Sequence, residues 1–184
     1  MGRRKTYRSE LAACALERHG YLTTDDTVRL GIPDDMLDRL LERGDLVIVG
    51  DDLFRLGALP PSRRHVLAEA VLRVGPDAFL SHDAVLALHD LTDHDPKPVR
   101  VGTPRAPRAD PRWPDHLEVL HRDLPAADLT TYRGIRSTTV ARALLDCHRL
   151  LALELLVAAA EEAVGCGLLL RRERNAVLEA LGAV

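Results

Sequence analysis

The residues with most chemical meaning in this chain are arginines set among acids. Arg39 and Arg43 share a ten-residue stretch with Asp34, Asp35, Asp38 and Glu42. At about 100° per residue, Asp35, Asp38, Arg39 and Glu42 fall opposite Met36, Leu37, Leu40 and Leu41 on a helix. An arginine on such a face can reach phosphate or guanine, and an acid there can accept from a cytosine amino group. Three acids against one arginine repel phosphate, and such an acidic face can also dock a partner protein. It also suits plain solvent, with the first acids at the helix N-terminus and the others paired to nearby arginines.

Two further basic clusters could hold a nucleic acid, the alternatives being a disordered arm for the first and a partner-docking or plainly solvated loop for the second. Arg3, Arg4, Lys5 and Arg8 precede the first acid, Glu10, and such arms can enter a minor groove or track phosphates. Arg100, Arg105, Arg108 and Arg112 are opposed only by Asp110 and are interleaved with Pro104, Pro107, Pro111 and Pro114, which keep a loop extended. Residues 97–142 carry nine basic and five acidic residues in a chain whose net charge is −3. The positive surplus is therefore central. Trp113, the one tryptophan, could stack on a base or anchor that loop. The DNA-contacting set expected from sequence is Arg3, Arg4, Lys5, Arg8, Arg29, Arg39, Arg43, Arg105, Arg108 and Arg112.

Other chemistry finds little support. His82 and His89 stand two helical turns apart, too far for a zinc pair, and with His94 and His121 they read as structural. There is no Gly-rich phosphate loop, no Gly-x-Ser-x-Gly elbow and no Gly-Ser followed by paired Asp. The chain is thus read as a non-enzyme without metal or cofactor. Cys14, Cys147 and Cys166 are odd in number and widely spaced, which predicts buried reduced thiols. No apolar run approaches the roughly 20 residues of a membrane span, and the basic start does not lead into a signal core, so a cytoplasmic protein is expected. Arginine supplies 23 of the 25 basic residues, a bias of GC-rich coding.

The elements that must position these residues are legible in the punctuation. Leu11, Ala12, Ala15 and Leu16 mark a helix ended by Gly20. Thr23 with Asp26 forms a capping box for a second, closed at Gly31, and Pro33 opens a third, closed at Gly44. Leu46–Val49 and Leu53–Leu56 flank Gly50-Asp51-Asp52 as a hairpin. Residues 9–57 therefore predict a winged helix-turn-helix, and Ala58–Pro61 a domain boundary. The expected domains are 1–58 and 62–184. In the second, Val66 to Val74 predicts a helix, Ser81 caps another to about Leu91, and Val99–Thr103, Leu117–His121 and Tyr132–Arg136 predict strands. Thr139 caps a helical stretch to about Val164, broken near Arg149, and a last helix covers Arg171–Leu181. Arg142 and Asp146 predict a helix-surface ion pair. The fold class is α+β, with a helical second domain around a small antiparallel or mixed sheet.

Several phrases carry a family resemblance. His19 to Thr24, Leu30 to Pro33, Arg39 to Leu46 and Leu53 to Gly57 resemble the winged-helix domain of AbiEi-type antitoxins. Ser81 to Leu91 and Gly134 to Asp146 are similar to phrases in the domain that follows it there. The resemblance implies a bacterial transcriptional autoregulator that binds double-stranded DNA at inverted repeats in its own promoter, as a homodimer, and neutralises a nucleotidyltransferase-like toxin. In that family the third helix and wing face DNA, and here they are acidic. Many longer relatives add a nuclease-like domain after a stretch like Glu161 to Leu168, and this chain stops short of one.

Overall fold

A computed structural model describes residues 7–59, 62–105 and 113–183. It is a mixed α and β structure in two compact units, Met1–Arg73 and Val74–Val184. Among the described residues no helix is long and apolar enough to cross a membrane. Arg3, Arg4, Lys5, Arg108 and Arg112 lie outside the described residues.

The first unit runs α1 (Tyr7–Glu17), β1 (Tyr21–Thr23), α2 (Thr24–Arg29), α3 (Asp34–Glu42), β2 (Leu46–Gly50), β3 (Leu53–Leu56) and α4 (Arg63–Val74), whose last residue opens the second unit. Its strands make an antiparallel sheet in the order β1-β3-β2. Leu11 and Ala15 of α1, Leu40 of α3, and Leu22, Leu46 and Phe54 of the sheet close one core. Local chemistry sets the helix ends. Thr23 takes the N–H of Asp26 while the Asp26 carboxylate takes that of Thr23, so two otherwise unpaired groups satisfy each other. Gly20, Gly31 and Gly44 all lie at positive φ, a region that glycine occupies without the Cβ penalty. The boundary between units falls past the Ala58–Pro61 break, because α4 is held to the first unit. The Tyr21 hydroxyl donates to Glu69 at 2.9 Å, and Arg73 donates to Glu69 and to the carbonyl of Val49.

The second unit runs β4 (Phe79–Leu80), α5 (Asp83–Leu88), β5 (Val99–Thr103), β6 (Leu117–His121), β7 (Leu129–Tyr132), β8 (Ile135–Thr138), α6 (Val140–Asp146), α7 (Leu153–Gly165) and α8 (Arg171–Ala180). Its sheet is mixed, in the order β6-β5-β4-β8-β7. The pairs β5·β6 and β4·β8 are parallel, and β4·β5 and β7·β8 antiparallel. Three expectations are corrected. The strand expected over Tyr132–Arg136 is a hairpin, because Arg133 and Gly134 both take positive φ and reverse the chain. Ser81 does not cap α5: its N–H goes to the carbonyl of Arg100, its hydroxyl meets His82 Nδ1, and the helix ends at Leu88. Of the three thiols only Cys147 is buried; Cys14 is half-buried and Cys166 exposed. Thr139 caps α6 as expected, and a 3-10 turn at Cys147–Arg149 makes the expected break before α7.

Candidate nucleic-acid interface

The outer face of α3 is exposed as its spacing requires: Asp35, Asp38, Arg39, Glu42 and Arg43 all face solvent while Leu40 is buried. Arg39 pairs with Asp35 at 3.1 Å across one helical turn. Arg43, one turn further, has no ion-pair partner among the described residues, and neither do Asp38 and Glu42. The face offers one unengaged cation beside two unengaged carboxylates.

The other described members of the expected DNA-binding set in this unit, Arg8 and Arg29, are engaged. Asp26 is 3% exposed at its side chain and takes Arg18 at 2.7 Å and Arg29 at 2.8 Å. Arg29 also lies 3.4 Å from Cys14 Sγ. Its guanidinium therefore screens a buried carboxylate and would have to leave it to reach a phosphate. Arg8 pairs with Asp45 at 2.8 Å. On the β2–β3 hairpin the exposed residues are apolar or acidic: Val47, Ile48, Asp51 and Asp52.

In the second unit Arg100 leaves the expected basic row. It is half-buried on β5, donating to Asp83 at 3.1 Å and to Glu118, its register neighbour on β6, at 3.0 Å. Arg105 is exposed and paired with Asp77 at 2.9 Å. Trp113 is half-buried.

The most developed charge network was only partly visible beforehand. Arg142 and Asp146 pair at i, i+4 as expected, but Asp146 is 5% exposed and takes a second, bidentate arginine, Arg122, at 2.5 and 2.9 Å. Burial pushes the Asp146 carboxyl up, and the hydrogen bonds from Arg122 and Arg142 outweigh it, holding the group below the usual carboxylate value. His82 has Asp146, Arg122, Arg100 and Asp83 in its field; burial is the largest influence and holds its imidazole below the ordinary value, hence neutral at pH 7. Its backbone is strained, at φ 56° and ψ −138°. Burial likewise pushes the Cys147 thiol up to about 12, so it is no thiolate nucleophile. Every arginine of this network is matched by a carboxylate, so it staples strands to helices and presents no free charge to a ligand. Among the described residues no group of His, Cys, Asp and Glu is arranged to hold a metal ion.

Compared with known proteins, the chain matches no family model and no curated sequence.

Proposed function

We propose that residues 9–57 form a winged helix-turn-helix that binds double-stranded DNA in the promoter of its own gene, and that the chain is a non-enzymatic regulator of the AbiEi-like antitoxin kind. The observation that carries this reading is the order helix, strand, helix, helix, strand, strand with α3 held outward by a three-stranded sheet. That arrangement offers one side of α3 to a groove. On it Arg43 is the free cation, and Arg39 becomes one by releasing Asp35. The arm at Arg3, Arg4, Lys5 and Arg8 and the arginines at 105, 108 and 112 would hold phosphates, with Arg29 at the end of α2 in reserve. A homodimer would place two such helices on an inverted repeat. Its second partner would be a nucleotidyltransferase-like toxin. Mobility shift on the upstream region at low and moderate salt tests the idea, and no shift at low salt removes it. Arg43→Glu should weaken binding, and each phosphate no longer neutralised should flatten the log–log salt slope by about 0.9.

A second reading is favoured by a specific observation, the unpaired Asp38 and Glu42 on that face. Here the winged helix docks a basic protein and leaves DNA alone. Capture of the neighbouring gene's product, lost in Asp38→Arg with Glu42→Arg, supports it. Capture unchanged in that variant sinks it.

A further inference from the structure

The charges on the outer face of α3 are sorted into two rows. At about 100° per residue, Asp38 and Glu42 fall together on one flank of that face and Arg39 and Arg43 on the other, with the buried Leu40 on the far side of the helix. Taken along the helix, the same residues make two levels: Asp38 beside Arg39, and Glu42 beside Arg43 one turn on. Arg43 caps the helix in the helical conformation, at φ −80° and ψ −9°, so the second level continues the first. All four residues are exposed. Among the described residues only Arg39 has an ion-pair partner, Asp35 at 3.1 Å, and both of those side chains are more than half exposed.

We infer that each level reads one G·C pair in the major groove, its arginine donating to guanine and its acid accepting from the cytosine opposite; this rests on the DNA-binding reading and names the sequence it takes. A G·C pair is itself sided in that groove: guanine shows the acceptors N7 and O6, and cytosine shows a donor, the N4 amino group. An arginine row toward one strand and an acid row toward the other therefore fit guanines on the first strand and cytosines on the second. The reversed pair sets arginine against an amino group and carboxylate against two acceptors. A·T pairs fit less well in either orientation. Thymine gives the arginine one acceptor in place of two and gives the acid no donor, while adenine sets its N7 against the carboxylate. One turn of four residues rises about 6 Å, close to two base-pair steps, so the two levels call for two G·C pairs of the same orientation with one pair between them. The acids that repel phosphate thereby select sequence, since a wrong base leaves a carboxylate facing an acceptor. A uniformly basic protein would meet the arginine row with like charge.

The test is selection by the full chain from a library of randomised duplexes at low salt. The recovered sequences should carry two guanines on one strand about two steps apart, each faced by cytosine. Anisotropy on a labelled recovered duplex then assigns the contacts. Replacing either cytosine with a pyrimidinone base that lacks the amino group should weaken binding by the parent chain at least about fivefold. The same replacement should cost much less in the variant without the facing acid, Glu42→Ala at one position and Asp38→Ala at the other. Deazaguanine, which lacks N7, should weaken the parent in the same way and change Arg43→Ala little at the guanine that Arg43 faces. Glu42→Ala should also bind unrelated duplexes more tightly, because repulsion is removed, while losing its choice at one pair. An equal gain on every duplex with the choice unchanged makes the acid a source of repulsion only and overturns the inference. Recovered sequences with A·T pairs at those positions, with guanines split between the strands, or with no preference overturn it too, and leave the DNA-binding reading standing. If no duplex is recovered, that reading falls and the inference with it; capture of the neighbouring gene's product through Asp38 and Glu42 would then put a protein in the place of DNA.

Discussion

Asp146 in the second unit is buried and receives four hydrogen bonds from Arg122 and Arg142, whereas Asp38 and Glu42 in the first unit lie on α3 in water with no partner among the described residues. Asp26 stands between these cases, its carboxylate buried but its two arginines half to largely exposed. Desolvation makes the difference. A buried charge must be matched by an equally fixed opposite charge, while a surface charge is matched by water and stays available for a partner. By this measure the buried network around Asp146 holds the second unit's fold, while Asp38, Glu42 and Arg43 on the outer face of α3 stay free to recognise a partner.

The comparison is broken most directly at Asp146. Asp146→Ala should cost about 3–5 kcal/mol, because it leaves Arg122, 15% exposed, buried without a counter-charge. Urea unfolding followed by fluorescence of Trp113, the sole tryptophan and a member of the second unit, measures it. A cost below about 1 kcal/mol would mean that Arg122 turns to solvent freely, and the contrast between the units would lapse.

Acid should unfold the second unit through two groups of the same network. The folded value of Asp146 lies below its unfolded one, so its contribution is complete above about pH 4 and is lost as pH falls through the folded value. For His82, also lowered, the unfolded chain takes up the proton first, so stability begins to drain as pH falls below about 6.5. Replacing His82 with Asn should flatten the upper part of the stability profile between about pH 6.5 and 5 and leave the lower part in place.

Asp26→Ala should cost less than Asp146→Ala, about 1–2 kcal/mol, chiefly for the missing half of the capping box. Arg18 and Arg29 can follow their charge into water, so no buried cation remains. Thermal unfolding by circular dichroism reads the loss. A cost equal to that of Asp146→Ala would show that exposure of the arginines is not what separates the two sites.

What could be read from the chain beforehand divides along the same line. The Thr23–Asp26 box, the Thr139 cap and the glycines at 20, 31 and 44 are local rules acting within one turn, and the first unit's helices follow from them. The outward acids of α3 follow from period alone. Arg122–Asp146, Arg100–Asp83 and Tyr21–Glu69 join residues 24, 17 and 48 apart, and nothing local marks them. Hence Arg100 reads as part of a basic row until tertiary structure assigns it to Asp83 and Glu118. Strands β1 and β4, three and two residues long, are too short to show alternation. The β7–β8 hairpin did carry a signal, Arg133-Gly134, hidden inside an apparently continuous strand.

The smallest effect belongs to Asp35 and Arg39, 67% and 58% exposed at their side chains and one helical turn apart. A double-mutant cycle to alanine should give a coupling of about 0.2–0.5 kcal/mol, falling further in 0.5 M salt, since both charges are already solvated and hold long side chains in one geometry to meet. Weak coupling has a functional consequence: Arg39 can exchange Asp35 for phosphate at little cost, whereas Arg122 cannot exchange Asp146 for anything. If the cycle returned more than about 1.5 kcal/mol, Arg39 would be bound to its own helix as firmly as the second unit's arginines are to theirs. Arg43 would then be the only mobile cation on the outer face of α3, and the balance would move from DNA toward a basic protein partner.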